Sequence, residues 1–270
     1  MRSRVLTSAI LLAFAAGASA SSAEDNVAPA GSIPGIAYAM VSDGSNFEYA
    51  TIRFGSGVVD IGPLQTYFFS GGFVQNDFTH EYAIDYPNAD LYSIDTSNAS
   101  TALIGNVAVG SGEVIHAGPR WDPVGGESFL VATDTSCDNS TLYTIDVSTA
   151  AATEVGSSSG TCIVAIAIDP TGALYGLDLT SDTLMAIDKL SGAAQPIAPL
   201  GADLALVVGM DFNPADGKLY VVGEDAVTRD EGIYVLGTGG LTLVGPTSIF
   251  GPFAFAVDSE TIFFNGFELP

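Results

Sequence analysis

The chain has 270 residues, of which 47% are hydrophobic and 14% are charged. This composition excludes a disordered chain, and the length is sufficient to bury roughly 70–75% of the unfolded surface. Seven Lys and Arg stand against 31 Asp and Glu, giving a net charge of −24. Such a negative potential repels phosphate backbones and anionic lipid head groups, which excludes nucleic acid and membrane surfaces as favourable partners.

The first twenty residues have the three parts of a secretory signal peptide. Arg2 and Arg4 form a basic start, residues 9–16 form a short apolar stretch, and 18–20 read Ala-Ser-Ala, a small-x-small cleavage site. The apolar stretch is too short to span a bilayer. The alternative is an N-terminal core helix. We therefore expect residues 1–20 to be a signal peptide, residues 21–34 to be a flexible lead-in, and the protein to be exported to the periplasm, the cell surface or the medium.

A repeat runs through most of the remaining chain. Five times an apolar residue followed by glycine closes a run of small and β-branched residues, at Ile61-Gly62, Ile104-Gly105, Val155-Gly156, Leu200-Gly201 and Val244-Gly245. The copies recur at intervals of 43 to 51 residues, which is typical of four-stranded propeller blades. The sequence therefore predicts an all-β fold, a β-propeller, over residues 35–258.

The fourth copy shows how one blade is built. Its first three strands, called a, b and c, are predicted at 163–168, 173–178 and 184–188, and strand d runs to Leu200. Between strands a and b lies Asp169-Pro170-Thr171-Gly172, with proline and glycine at the positions that a tight reversal prefers. This spacing predicts a hairpin.

The chain ends decide the number of blades. Residues 253–258 match strand a, whereas 35–41 match strand b, so a strand from the far end of the chain completes the first blade. The prediction is five blades closed by N- and C-terminal strands. They are assigned to 35–63 with 252–258, 70–105, 115–156, 163–201 and 207–245. In the alternative, residues 261–266 take the place of the 37–41 strand or add one, which leads to six blades or an open arrangement.

The repeat text also resembles a known group of proteins. The motif Asp-Pro-x-Gly-x-Leu-Tyr at residues 169–175 is similar to the repeat core of secreted bacterial propellers of the YVTN and NHL-like type. The strand c and d text is similar to an uncharacterised bacterial propeller family. The resemblance implies the propeller fold over residues 35–258 and no particular activity, because such repeats occur in enzymes, adhesins and scaffolds.

The C-terminal tail carries a second resemblance. Residues 261–268 are similar to an Ile-Phe-x-Asp-Gly-Phe-Glu ending of secreted proteins from some Gram-negative bacteria, with Asn265 in the place of the aspartate. The resemblance implies that residues 259–270 serve export or surface handling. The alternative is an apolar terminal strand packed on the propeller.

Cys137 and Cys162 are the only cysteines. Cys137 falls in the b–c loop of the third blade and Cys162 ends the d–a connection into the fourth, and these two kinds of connection emerge on one face of a propeller. An exported protein keeps disulfides, so a Cys137–Cys162 bond is predicted, with free thiols or a metal pair as alternatives.

Carboxylates are expected to collect on the same face. Those at or near b–c loops are Asp43, Asp134, Asp138, Asp178, Asp182, Glu224, Asp225, Asp230 and Glu231. Several oxygen ligands suit calcium, although no segment has the spacing of a self-contained site. No cofactor is required by the sequence. Calcium binding and ordinary acidic surface loops both remain open.

Three residues mark a candidate ligand site where the third copy enters its inner strand. Glu113, His116 and Arg120 are predicted near the mouth of the central channel, where an acid, a base and a cation can bind a small anion or assist hydrolysis. The alternative is a solvated loop with one ordered histidine. No nucleophile elbow, HExxH or P-loop motif occurs in the sequence.

Two functions follow from these observations. The first is an exported, non-catalytic module that presents an acidic loop face to a protein, glycan or cell-surface partner. The second is a metal-dependent hydrolase of a lactone or glycan, with its site at the channel mouth. Repeat text without a local departure favours the first, because an active site usually breaks local rules.

Overall fold

The computed structural model describes residues 36–42, 47–53, 58–65, 68–74, 79–86, 88–109, 114–214, 216–229, 231–246 and 250–258. The signal peptide, the lead-in and the C-terminal tail predicted above lie outside these residues. The described residues form twenty strands, and none of them forms a helix of the length and hydropathy that a membrane crossing requires. The strands are β1 (Ile36–Ser42), β2 (Phe47–Arg53), β3 (Val58–Gln65), β4 (Phe68–Val74), β5 (His80–Tyr86), β6 (Asp90–Asp95), β7 (Thr101–Asn106), β8 (Val114–Asp122), β9 (Glu127–Asp134), β10 (Asn139–Asp146), β11 (Ala151–Ser159), β12 (Ile163–Ile168), β13 (Leu174–Asp178), β14 (Thr183–Ile187), β15 (Ala194–Pro199), β16 (Leu204–Asn213), β17 (Lys218–Asp225), β18 (Glu231–Gly237), β19 (Gly240–Pro246) and β20 (Phe250–Asp258).

The strands assemble into five four-stranded antiparallel sheets. The first blade has the order β20-β1-β2-β3, and the others are β4–β7, β8–β11, β12–β15 and β16–β19. Strand β20 pairs with β1 in the register Ala37↔Val257, so the predicted closure between the two ends of the chain is confirmed. The innermost strands β20, β4, β8, β12 and β16 contact one another in a closed cycle. The propeller fold is confirmed.

Burial falls from the centre of the ring outward. All six side chains of the inner strand β12 are buried, whereas the outer strands β11 and β15 are mostly exposed or half-buried. Hydrophobic clusters lie between neighbouring blades, as where Phe129 and Leu142 of the third blade pack with Ile166 and Leu174 of the fourth. Each sheet buries both faces, which explains why an inner strand such as β12 is apolar throughout and lacks a clean alternation.

Three of the repeated glycines have a common structural cause. A Cβ atom on Gly156 would lie 2.1 Å from the carbonyl oxygen of Ser191, in the c–d turn of the next blade. Gly105 faces the c–d turn at Thr149 and Ala150, and Gly201 faces the one at Gly239 and Gly240. The period in the sequence therefore records where one blade's backbone approaches the next blade's turn, which a side chain would prevent.

Aspartates that end strand c also repeat for a structural reason. Asp95, Asp146 and Asp188 each accept a hydrogen bond on Oδ1 from the backbone N–H two residues later, at 2.8–2.9 Å. These Asx turns set the direction of the c–d reversal. Their carboxylates are structural, as are those that open the a–b turns, where Asp169 Oδ1 accepts from the N–H groups of Thr171 and Ala173.

Candidate functional site

The centre of the ring contains a buried arginine. Arg120, on inner strand β8, is 3% exposed, and its guanidinium donates from Nε to the carbonyl oxygen of Ile166 at 3.0 Å. It also donates from an Nη atom to the carbonyl oxygen of Met210 at 2.7 Å. Ile166 lies on β12 and Met210 on β16. One side chain thus bridges the inner strands of three successive blades from inside the channel.

Two carboxyl groups from other blades act on this cation. Burial lowers the pKa of Arg120, whereas the charges of Asp211 on β16 and Glu81 on β5 raise it by favouring the charged form. Glu81 is fully buried, and burial raises its pKa to about 8 although the Tyr49 hydroxyl and the Arg120 charge act in the opposite direction. At neutral pH Glu81 is therefore mostly protonated, and Asp211 is the principal counter-charge of Arg120.

The structure places two of the three residues predicted at the channel mouth, Glu113, His116 and Arg120, on strand β8. Glu113 lies outside the described residues. His116 is 5% exposed and pairs with Ala132, whereas Arg120 pairs with Phe129, four positions further along the same strand. Their partners Ala132 and Phe129 are three positions apart on β9, and a strand rises by roughly 3.3 Å per residue, so the two residues lie roughly 10 Å apart along the sheet.

His116 has the environment of a core residue. Neither ring nitrogen has a hydrogen-bond partner among the described residues, and burial lowers the pKa of the imidazole to about 4. A neutral, buried imidazole cannot bind an anion as a cation. The structure thus places His116 in the buried part of β8, and its role in the predicted ligand site stays a prediction.

The opposite ends of the blades define two faces of the propeller. The b–c loops and d–a connections form one end, which we call the disulfide face, and the a–b and c–d turns form the other, the hairpin face. Cys137 and Cys162 are bonded on the disulfide face with a sequence separation of 25, which confirms the predicted bond. Closing a loop of this length contributes about 3 kcal/mol in the chain-entropy model.

The b–c loops share one construction. Asp134, Asp178 and Asp225 each end strand b and accept backbone N–H groups from their own loop on Oδ1, at 2.8–3.1 Å. The loops of the third and fifth blades then place Cys137 and Arg229 at positive φ, 59° and 65°. Hydrogen bonds from the loop lower the pKa of Asp134 and Asp225, so these carboxylates are ionised and fixed in orientation.

The remaining carboxylates predicted on this face differ in their surroundings. Asp182 accepts the N–H of Leu204 at 3.1 Å, Glu224 pairs with Arg229 at 2.6 Å, and Asp138 is exposed. Asp43 and Asp230 lie outside the described residues, and only the backbone of Glu231 is described. Within the described part of the chain, no three or more His, Cys, Asp or Glu side chains are grouped to hold a metal ion.

Sequence reasoning missed the buried Glu81 and the half-buried Asp211. Both lie beside apolar residues within strands. A charged residue among the apolar residues of a strand is the sequence signal that could have pointed to them. It could be used only once the register was known, because the same residue on the solvated face of a strand is ordinary.

Comparison with known proteins supports the fold. No protein-family model matches the chain, and a search of curated proteins finds no match. Among solved structures, a chain of the nidogen/laminin complex superposes with a TM-score of 0.52 at 14% identity, covering 83% of this chain and 98% of its own. TolB from Acinetobacter baumannii superposes with a TM-score of 0.49 at 14% identity, covering 79% and 53%. An oligogalacturonate lyase in complex with manganese gives 0.43 at 12% identity, covering 73% and 54%.

The chain thus spans about half the length of the TolB and lyase chains. The structural neighbours are β-propeller proteins. At these identities the likeness concerns the fold alone. It agrees with the closed ring of sheets described above.

Proposed function

We propose that this protein is an exported, non-catalytic binding module that presents the disulfide face to a protein with a basic surface. The observation that carries the proposal is the fixed orientation of that face's carboxylates: Asp134 and Asp225, which are half-buried, are held by their own loops. The disulfide joins two of the connections that form the same face. A surface whose charges are ordered before binding loses less entropy on association.

Charge gives the proposal its partner class. The net charge of −24 produces a strong negative potential, which accelerates association with cationic surfaces and disfavours anionic ones. The similarity of the repeats to secreted YVTN and NHL-like propellers, which include enzymes as well as adhesins and scaffolds, is compatible with a binding role. Export is supported by the disulfide, a bond that persists in oxidising compartments.

The channel favours binding over catalysis. The guanidinium of Arg120 spans the inner strands and satisfies their carbonyl groups, so the space where a channel-mouth hydrolase would place its substrate is braced by a structural contact. The carboxylates on the disulfide face are likewise engaged by their own loops. A catalytic group needs access to substrate, and Arg120 and Asp178 are both only 3% exposed.

The proposal is tested by crosslinking with a zero-length carbodiimide, which joins carboxylates to lysines of a partner. The purified protein is mixed with exported proteins, and crosslinked peptides are mapped by mass spectrometry. Asp138 and Asp203 are exposed on the disulfide face, and Glu154 is exposed on the outer strand β11. We expect crosslinks at Asp138 or Asp203, loss of the partner in the Asp138→Asn/Asp203→Asn double variant and in high salt, and no loss in Glu154→Gln. A partner retained equally by all variants would contradict the proposal.

A metal-dependent hydrolase remains the second candidate because of one observation. Glu81, with a pKa raised to about 8, lies with Arg120 and Asp211 in the interior, and strongly perturbed groups concentrate at active sites. This candidate predicts that calcium raises the melting temperature and a chelator lowers it. It also predicts turnover of an ester, lactone or glycoside that disappears in Glu81→Gln. Absence of both effects would eliminate it.

A further inference from the structure

A pocket opens on the hairpin face of the third blade. Its volume is about 390 Å³, and Trp121, Ser128, Thr144, Asp146 and Thr153 are among the residues that line it. The volume lies within the range of roughly 300–1,000 Å³ that holds small ligands. The pocket is at the opposite end of the blade from Cys137, so it is separate from the face assigned to a protein partner.

Two buried polar groups in this pocket lack partners. Trp121 Nε1 and Ser128 Oγ are both buried, and neither has a hydrogen-bond partner among the described residues. The Ser128 residue is only 4% exposed. Buried polar groups are almost always satisfied in folded proteins, by protein or by ordered water, so a group bound in this pocket, water or a ligand, supplies these partners.

The pocket is also a local departure from the repeat. Trp121, Ser128 and Ile145 are paired across β8, β9 and β10 in one register row. The same row of the fourth blade is Ile168, Leu174 and Ile187, which are all buried in one hydrophobic cluster.

The fifth blade agrees with the fourth. Its row pairs Phe212 with Leu219, and both residues belong to a hydrophobic cluster between blades. A position that is apolar and filled in these two blades is therefore polar and open in the third. The corresponding position of the second blade is also polar, because Glu81 pairs with Ile94 in this row. The second and third blades thus depart from the leucine of the fourth and fifth, and departures from a repeat are expected at functional sites.

We propose that this pocket binds a neutral polyhydroxylated ligand, a hexose or the hexose end of a glycan. The indole offers an apolar face and a donor-only N–H, while the Ser128 and Thr hydroxyls both donate and accept, which matches a ligand whose hydroxyls do the same. Glu127 also lines the pocket and is exposed, so its carboxylate can accept hydrogen bonds from ligand hydroxyls and repel anions. This charge excludes sugar phosphates and uronic acids.

Trp121 is the only tryptophan in the chain, so its emission reports on this pocket alone. The purified protein is titrated with glucose, galactose, mannose, N-acetylglucosamine, maltose and cellobiose, and with glucose 6-phosphate and glucuronate as anionic counterparts. We expect a saturable change in emission with at least one neutral sugar and none with the anions. Tighter binding of a disaccharide than of its monosaccharide identifies a chain end as the ligand, whereas equal binding identifies the single hexose.

Variants separate binding in the pocket from a general effect. Calorimetry should show about 3- to 10-fold weaker sugar binding in Trp121→Phe, which keeps the aromatic face and loses the N–H. Ser128→Leu copies Leu174 of the fourth blade; it should fill the pocket, keep the melting temperature and abolish binding. Ser191→Ala, at an exposed turn of the fourth blade, is the matched control and should bind as the parent protein does.

Three results would overturn the proposal. They are no emission change with any neutral sugar up to tens of millimolar, tighter binding of the anionic sugars, or unchanged binding in both Trp121→Phe and Ser128→Leu. If Ser128→Leu does not fold, the Trp121→Phe result decides. None of these outcomes bears on the disulfide face, so the proposed protein partner is tested separately.

Discussion

Replacing Arg120 by methionine should destabilise the whole ring, because this one side chain joins three blades. The substitution removes donors from the carbonyl oxygens of Ile166 and Met210, which lie in the channel interior. Each hydrogen bond to a charged group contributes about 1.5–3 kcal/mol, and removing the guanidinium recovers part of the cost of burying its charge. We expect a net loss of about 3–5 kcal/mol in the free energy of unfolding.

The assay is urea denaturation, followed both by Trp121 emission and by circular dichroism. With a denaturant slope of about 3 kcal/mol per M, the midpoint should fall by between about 1 and 2 M. Arg120→Lys keeps the charge but lacks the fork that reaches two carbonyls, so it should fall between the parent and Arg120→Met. A methionine variant whose midpoint lies within about 0.3 M of the parent would refute the bracing role, provided that the two probes coincide.

Three further predictions concern single side chains. Glu81 has a folded pKa of about 8 against an ordinary 4.5, so its contribution to stability is fully present below pH 4.5 and is lost as the pH rises through 8. Glu81→Gln should therefore equal the parent in stability at pH 4.5 and exceed it by a few kcal/mol at pH 8. Urea midpoints at both pH values measure the difference. Lys189→Met leaves the buried Asp122 carboxylate without its cation and should lower the free energy of unfolding by about 2 kcal/mol near pH 7, a loss that disappears on acidification below the ordinary aspartate pKa. The control Lys218→Met, which removes an exposed ion pair at 3.9 Å, should lower it by less than about 0.5 kcal/mol. Equal losses in the two variants would contradict the assignment. Gly156→Ala places a Cβ against a carbonyl of the next blade and should lower the melting temperature by several degrees, while Gly239→Ala, with open space around its Cα, should leave it unchanged.

The fold could be predicted because the features that specify it are local and repeated. The turn at Asp169 is specified by four consecutive residues, and the structure shows the hydrogen bonds that such a turn forms. Closure of the ring could be predicted as well, because the strand β20 matches strand a and the strand β1 matches strand b. The disulfide followed from topology once the two loops had been assigned to one face.

The candidate site could not be predicted to the same degree, because side-chain direction depends on irregularities within strands. Strand β8 has a register shift between Ala117 and Arg120, after which the arginine reaches toward β12 and β16. A prediction that counts positions along a regular strand cannot anticipate this change. It therefore grouped His116 with Arg120, although the first is a neutral core residue and the second a bridge between blades.

Trp121 and Ser128 illustrate a signal that becomes visible only when register is known. In the linear text, the tryptophan precedes a turn aspartate just as Ile168 and Phe212 precede Asp169 and Asn213, so it resembles another apolar member of the series. The pairing of Trp121 with Ser128 shows instead that its row contains a hydroxyl where the fourth and fifth blades have leucine. A repeat protein thus offers internal controls. The rows of the fourth and fifth blades show which side chains fill this position when packing is the only requirement. The third blade lacks that packing at the row that borders its pocket.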